Sequence, residues 1–228
     1  EHRIPTEGSN PYISVEGADG CLWFCESGTS KIGRLNPKDY SFQEFALPTP
    51  NATPIGIVPG ANDDCWFAEK SGNKIGRITL KGEITEFPVP TPNAGPDAMM
   101  LGPDGNIWFS ETEVSQIGRL TPGGKFTEFK DGITPGSKPL SIVVRDGALW
   151  FSEAAGNHVG RITVDGTEVH AKSTDLNKLR RKIGIVFQQS NLLPALTGRE
   201  QLQVMGRLGG GTNRNRRGRI DSRVEELL

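Results

Sequence analysis

Four glutamates at nearly even spacing are the side chains in this sequence best suited to acid–base or metal chemistry. Each closes a Trp-Phe-x-Glu segment, at Glu26, Glu69, Glu111 and Glu153. Such a carboxylate can accept hydrogen bonds from a neighbouring turn or bind a hard cation through its oxygen atoms. Identical repetition favours the structural role, in which each glutamate bonds to its own turn or pairs with the arginine of the following Ile-Gly-Arg segment. The cation-binding role stays open for one or two of the four.

The histidines offer no second catalytic arrangement. His158 replaces Lys or Gln at a turn position of the repeat, and we expect it to be solvated. His2 and His170 lie at the ends of the repeated pattern, and neither has a partner at a recognisable spacing.

The three cysteines are Cys21, Cys25 and Cys65. On an extended strand Cys21 and Cys25 would lie roughly 13 Å apart, which is too far for a disulfide. The odd number and the lack of metal-binding spacing predict free, buried thiols.

The elements that carry these residues repeat along the chain. The repeats are marked by Trp23, Trp66, Trp108 and Trp150, which are separated by 43, 42 and 42 residues. Each repeat holds four short runs rich in β-branched and aromatic residues, separated by turn residues such as Asp104-Gly105. Four strands in about 42 residues is the size of a β-propeller blade. The sequence therefore predicts an all-β fold, an incomplete propeller of about four four-stranded blades, followed by a short α/β fragment.

Charge divides the chain near residue 166. Residues 1–166 contain 14 Lys/Arg and 21 Asp/Glu, a net charge of −7, whereas residues 167–228 contain 12 and 6, a net charge of +6. Such a break suggests two pieces of different origin. No run approaches transmembrane length and no signal peptide precedes residue 20, which favours a cytoplasmic location. Export stays compatible with the sequence, because the chain opens in the middle of its repeat pattern.

Residues 1–166 closely resemble the virginiamycin B lyase, or streptogramin lyase, family. The resemblance rests on Asn-Lys-Ile-Gly-Arg-Ile-Thr at 73–79, Ile-Thr-Glu-Phe-Pro-Val-Pro-Thr-Pro at 84–92 and Gly-Pro-Asp-Gly-Asn-Ile-Trp-Phe-Ser-Glu at 102–111. It implies a seven-bladed propeller that opens type B streptogramin rings by elimination at an ester, with Mg²⁺ and with catalytic His and Glu residues near the central channel. By this resemblance Glu111 and Glu153 are the candidate metal ligands.

The family's catalytic signature is a Pro-His element that begins a blade. The corresponding second positions here hold Tyr12, Ile55, Asp97 and Leu140. Elimination needs a group that titrates near neutral pH and a cation that stabilises the developing charge. Because no histidine occupies these positions, we expect the chain to be inactive as a lyase. Family histidines belong mainly to later blades than the four found here.

Residues 167–228 lack the propeller pattern and resemble the Q-loop region of a drug-efflux ABC-transporter ATPase. The resemblance rests on the runs 179–188 and 191–200, and it makes Gln188 the Q-loop glutamine. No G-x-x-x-x-G-K-[ST] phosphate loop, signature sequence or Walker B carboxylate is present, so ATP is not expected to bind. The arginines between 214 and 219 have no interleaved aromatic residues, which favours a solvated linker over a nucleic-acid site.

Three function classes follow from these observations. The first is a streptogramin-lyase-type enzyme, inactive in this chain, and the second is a non-catalytic propeller that binds a small-molecule antibiotic or another ligand on its channel face. The third is the ATP-binding component of a drug exporter. We also expect residues 1–6 to be the last strand of a further blade, the four blades to form an open arc, and the exposed blade edges to permit self-association.

Overall fold

The computed structural model describes residues 1–163, which contain fifteen β-strands. The first sheet is formed by β1 (Pro11–Glu16), β2 (Leu22–Glu26), β3 (Lys31–Leu35) and β4 (Phe42–Ala46). The second sheet is formed by β5 (Pro54–Pro59), β6 (Asp64–Glu69), β7 (Lys74–Thr79) and β8 (Ile84–Pro88). The third sheet is formed by β9 (Pro96–Leu101), β10 (Ile107–Glu111), β11 (Gln116–Leu120) and β12 (Phe126–Phe129). The described part of the fourth sheet is formed by β13 (Pro139–Arg145), β14 (Ala148–Glu153) and β15 (His158–Thr163).

Each sheet is an antiparallel meander in which strands adjacent in sequence are adjacent in space. Turn residues set the register in which neighbouring strands pair. Gly105, in the Asp-Gly turn between β9 and β10, has a φ of 72°. Glycine adopts this conformation without steric cost. The predicted all-β architecture of blade-like sheets is confirmed. The predicted α/β fragment lies outside the described residues.

Consecutive sheets pack face to face through a repeated pair of surfaces. We call the side of a sheet that carries its tryptophan the Trp face and the opposite side the Phe face. Trp23 shares a buried cluster with Phe67 of the second sheet, and Trp108 shares one with Phe151 of the fourth sheet. The Trp face of one sheet therefore packs on the Phe face of the next. Removing one such side chain from water contributes roughly 2–3 kcal/mol of stability.

The first strand of each sheet contacts the first strand of the next: β1 contacts β5, β5 contacts β9, and β9 contacts β13. Among residues 1–163, the two end faces have no such neighbour. Leu22 on the Phe face of the first sheet is 39% exposed, and Val143 on the Trp face of the fourth is 49% exposed. Exposed end faces are what an open arc predicts. Self-association through these surfaces stays a prediction.

The expectation that residues 1–6 form a strand is wrong. The chain is irregular there, and its first strand begins at Pro11. A strand needs a hydrogen-bonded neighbour, and the described residues supply none at this place. Thr6 instead accepts a hydrogen bond from Lys31 Nζ at 2.6 Å, and Thr49 receives the same contact from Lys74. Residues 1–6 therefore keep the lysine contact that the turn of a later repeat makes, but they do not form the strand that precedes that turn.

Candidate functional site: the bulged start of the inner strands

The positions that correspond to the family histidines lie on a β-bulge in every sheet. Pro54 pairs with Glu69, and the next paired residue is Ile57, opposite Phe67, so β5 holds one more residue than β6 between these points. β1, β9 and β13 hold the same extra residue after Pro11, Pro96 and Pro139. Bulges turn side chains out of the ladder and are frequent beside active sites. We call the four bulges and their flanking residues the inner rim.

The bulge residues differ in exposure and chemistry. Tyr12 is 65% exposed and Leu140 is 43% exposed, whereas Ile55 is buried. The side chain of Asp97 is 15% exposed, and its Oδ2 atom lies 2.7 Å from Nζ of Lys70 at the end of β6. The inner rim therefore offers aromatic and aliphatic surface beside one ion pair that joins the second and third sheets.

The four repeated glutamates lie behind the bulges, in the core. Glu26, Glu69 and Glu111 are 0% exposed and Glu153 is 4% exposed. Each pairs across the ladder with the proline that begins the inner strand of its sheet. The carboxylates therefore face the interior of the blade rather than the surface of the inner rim.

The predicted structural role of these glutamates is correct in part. Glu26 Oε2 accepts a hydrogen bond from Thr29 Oγ1 at 3.1 Å, and Glu153 Oε2 accepts one from the Thr134 amide at 3.1 Å. Pairing with the Ile-Gly-Arg arginine is wrong for Arg34, whose Nε lies 2.8 Å from Asp19.

The arginines stack on tryptophan instead. The guanidinium of Arg34 lies 5.7 Å from the ring centroid of Trp23, and the same stacking occurs in each later sheet. The aspartate that holds the arginine also accepts the indole N–H in the first three sheets, as Asp64 does from Trp66 at 3.0 Å. The arginine therefore packs on the Trp face, and the glutamate lies elsewhere in the sheet.

Burial controls the ionisation of the glutamates. Burial, with a smaller contribution from the nearby carboxylate of Glu86, raises the pKa of Glu69 to about 8 against the opposing effect of Lys74. Burial also raises the pKa of Glu111 to about 8, with Glu128 as the second cause. The pKa of Glu26 is raised chiefly by burial. Glu69 and Glu111 therefore hold a proton at neutral pH in the absence of a bound cation.

The candidate magnesium ligands do not form a shared site. Glu111 and Glu153 occupy equivalent positions in two different sheets, and Glu153 already accepts a backbone hydrogen bond. Within residues 1–163, no group of three or more His, Cys, Asp or Glu side chains is placed to hold a metal ion. The positions of Glu111 and Glu153 therefore do not fit one Mg²⁺ ion held by both carboxylates.

The other predicted residues do not occupy bulge positions. His2 stacks on Tyr40 with ring centroids 4.0 Å apart, and His158 is exposed at the start of β15 as expected. The three cysteines are buried and free, as predicted. His170 and Gln188 lie outside the described residues, and the part of the chain that the structure describes contains no helix that could cross a membrane.

Sequence reasoning missed two features. One is Lys70, because only the contact between adjacent sheets brings it to Asp97. The other is a second set of carboxylates on the outer strands, Glu44, Glu86 and Glu128. Its signal was the repeated Glu-Phe dipeptide that ends each blade pattern.

Comparison with known proteins identifies the type of propeller. The sequence profile of the virginiamycin B lyase family matches residues 1–179. A solved virginiamycin B lyase from Staphylococcus aureus is 42% identical, with a TM-score of 0.70, and the match covers 73% of this chain and 56% of that one. A catalytically inactive histidine-to-alanine variant of the same enzyme, solved with quinupristin, is 41% identical with a TM-score of 0.70, covering 75% and 59%. A streptogramin B lyase structure is 38% identical with a TM-score of 0.69, covering 74% and 56%.

The chain thus spans less than two thirds of the length of these solved relatives. No curated protein sequence matches it. The family profile continues past residue 166, the boundary that the sequence pattern suggested. The comparisons give no support to the ABC-ATPase resemblance of residues 167–228, whose structure lies outside the described residues.

Proposed function

Because the chain belongs to the virginiamycin B lyase family, we propose that it binds a type B streptogramin or a similar cyclic depsipeptide without opening the ring. The observation that carries the proposal is the composition of the inner rim. Its described positions supply exposed aromatic and aliphatic surface and an ion pair, but no histidine.

The inner rim suits an amphipathic cyclic peptide. Tyr12 and Leu140 offer apolar area to the hydrophobic side chains of such a ligand, and Lys70 and Asp97 offer a donor and an acceptor to its amides. Small-molecule sites commonly combine apolar walls with a few fixed polar groups. Binding is therefore compatible with the residues present.

Elimination requires a base that can reach the substrate and titrates near neutral pH. Glu69 and Glu111 have a pKa of about 8, but both are fully buried. Asp97 reaches the inner rim, but its carboxylate is held by Lys70. His2 stacks on Tyr40 and His158 begins β15, so neither histidine occupies a bulge position. The S. aureus variant in which alanine replaces a histidine is described as catalytically inactive and is solved with quinupristin, which supports a separation of binding from catalysis.

The test measures binding and turnover on the same sample. The whole purified chain is titrated with quinupristin by calorimetry and incubated with it in buffer containing Mg²⁺. Elimination would yield a linear isomer of unchanged mass, so chromatography coupled to mass spectrometry separates it from a hydrolysis product, which is one water heavier. We expect saturable binding and no isomer above the buffer control.

Two variants locate the ligand. Tyr12→Ala removes the most exposed aromatic group of the inner rim, and Tyr40→Ala removes an exposed tyrosine that stacks on His2 elsewhere. Losing one stacked or buried ring contact should weaken binding roughly tenfold in the first variant, and the second should bind as the unmodified chain does. Equal affinities in the two variants would contradict binding at the inner rim, and a linear isomer would contradict the inactivity.

A further inference from the structure

One lysine position differs between repeats that are otherwise alike. In the second sheet the Lys74 ammonium lies 2.6 Å from Thr49 Oγ1 and 2.6 Å from Glu86 Oε2. In the first sheet Lys31 makes the equivalent contacts, at 2.6 Å to Thr6 and 3.6 Å to Glu44. A single positive charge thus joins the outer-strand glutamate of each sheet to the preceding turn.

The third sheet keeps the acceptors of this arrangement and lacks the cation. Gln116 stands at the lysine position, opposite Glu111 in the ladder as Lys74 is opposite Glu69. The Thr91 amide still donates to Glu128 Oε1 at 2.9 Å. In the described part of the chain, no lysine contacts Glu128 as Lys31 and Lys74 contact the equivalent glutamates of the first two sheets.

Oxygen atoms without donors converge there. Among the described residues, Glu111 Oε1 and Oε2 and Gln116 Oε1 are buried and accept no hydrogen bond. Glu69 Oε1 and Oε2 are also without a donor in the second sheet, although Lys74 is present there, so the acceptor that distinguishes the third sheet is Gln116 Oε1. The Glu111 side chain is 0% exposed. Buried acceptors without donors are unfavourable, so a ligand that supplies positive charge would stabilise them.

Ladder geometry places these oxygens on one side of the sheet. Gly118 lies opposite Glu128, and a Cβ atom built on Gly118 would lie 2.6 Å from Glu111 Oε1. Residues directly opposite in a ladder share a face, as do residues two apart on one strand. The side chains of Glu111, Gln116 and Glu128 therefore point to the same face, towards Thr91 of the preceding turn.

We propose that this group of oxygen atoms binds a small, hard metal cation in the place of the missing ammonium group. Glu111, Glu128 and Gln116 supply carboxylate and amide oxygens, and the Thr91 hydroxyl supplies another; oxygen sets of this kind suit Na⁺ or Ca²⁺. Gln116, Glu128 and Thr91 are half-buried, so an ion can enter from solvent. The site lies away from the inner rim and does not depend on the proposed ligand binding.

The charge of the ion distinguishes two ways of occupying the site. A monovalent ion would supply one positive charge, as the lysine ammonium does in the first two sheets, and a divalent ion would supply two. The shared property is a cation held by protein oxygens, and separate titrations with Na⁺ and Ca²⁺ identify which one binds.

The experiment compares the metal-free whole chain with Gln116→Lys. Thermal unfolding is followed in NaCl or CaCl₂ against choline chloride of equal ionic strength, and binding is followed by calorimetry. Saturating cation should raise the Tm of the unmodified chain by roughly 5 °C or more. Gln116→Lys should have the higher Tm without added metal, and the metal-dependent shift and the binding heat should both disappear.

A reciprocal variant keeps the test decisive if Gln116→Lys folds poorly. Lys74→Gln recreates the third-sheet arrangement in the second sheet, so it should gain a second binding event and a larger metal-dependent shift in Tm. If neither ion shifts the unmodified chain beyond choline, or if Gln116→Lys responds as strongly as the unmodified chain does, the proposed site does not exist.

Discussion

Lys70 Nζ lies 2.7 Å from Asp97 Oδ2 and connects the end of β6 to the start of β9. The pair joins two sheets at the inner rim, where the family signature would place a histidine. It is therefore both an interface contact and the main polar feature of the proposed ligand surface.

Replacing Lys70 should weaken the fold by a modest amount. Lys70→Met leaves Asp97 with its side chain 15% exposed and without its partner. Because Lys70 is itself 35% exposed and solvent screens the pair, we expect a loss of about 1 kcal/mol in the free energy of unfolding. Urea denaturation measures it. Lys138→Met, which breaks a pair with Glu113 whose side chains are 57% and 47% exposed, is the matched control and should change stability by less.

A second prediction concerns pH and Glu111. Burial, together with the nearby carboxylate of Glu128, raises the pKa of Glu111 in the folded protein to about 8 from its ordinary value of 4.5. An acid with a raised folded pKa stabilises the fold fully below its unfolded pKa, and that contribution is lost as pH rises through the folded pKa. Glu111→Gln keeps the shape and cannot ionise, so its stability relative to the unmodified chain should grow from pH 4.5 to pH 8.

Denaturation midpoints in metal-free buffer across this range measure the effect of Glu111→Gln. Glu113→Gln, at an exposed position two residues later, is the control for the loss of a carboxylate from the same turn. A Glu111→Gln difference that is constant over the whole range would show that folding does not raise the pKa of Glu111.

The sheets could be predicted from the sequence because their signal is local and repeated. Tryptophan spacing, turn residues and strand-like runs together define each blade. The packing of Trp23 on Phe67 is harder to predict from the sequence. It requires knowing which face of each sheet contacts the next sheet.

The site was harder to predict than the fold. The glutamate repeat was visible, but its arginine partner was assigned from proximity in sequence. Arg34 lies opposite Trp23 in the ladder and lies over that ring, near Asp19, whereas Glu26 lies opposite Lys31. The carboxylate pairs, such as Glu111 with Glu128, arise because a glycine between them leaves room on the shared face. The two glutamates and the glycine lie on three different strands, so no single spacing in the sequence predicts that they share a face.

A third prediction concerns Asp104, the aspartate that accepts a hydrogen bond on the Trp face of the third sheet. Asp104 Oδ1 accepts the Trp108 indole N–H at 3.0 Å, and Asp104 Oδ2 lies 3.9 Å from Arg119. Asp104→Ala leaves the N–H of a fully buried ring without this acceptor, which should cost about 1–3 kcal/mol. Chemical denaturation followed by tryptophan fluorescence measures the change. Asp131→Ala removes an exposed aspartate whose backbone is outside the left-handed region, so a comparable loss there would contradict the explanation.

The last prediction concerns the glycine of the Ile-Gly-Arg segment. Gly76 lies opposite Phe67, and a Cβ atom at Gly76 would overlap the Phe67 ring, which is fully buried against the first sheet. The ring has no free space to enter, so Gly76→Ala should force a shift in the interface and cost about 1–3 kcal/mol. Gly123→Ala is the matched control, since a Cβ there meets only Thr121 Oγ1 at 3.9 Å. Urea denaturation of both variants should show a large loss only for Gly76→Ala. Equal stability of the two would mean that the sheets can separate to accept a methyl group, and the close packing of the Phe face would then not explain why glycine repeats at this position.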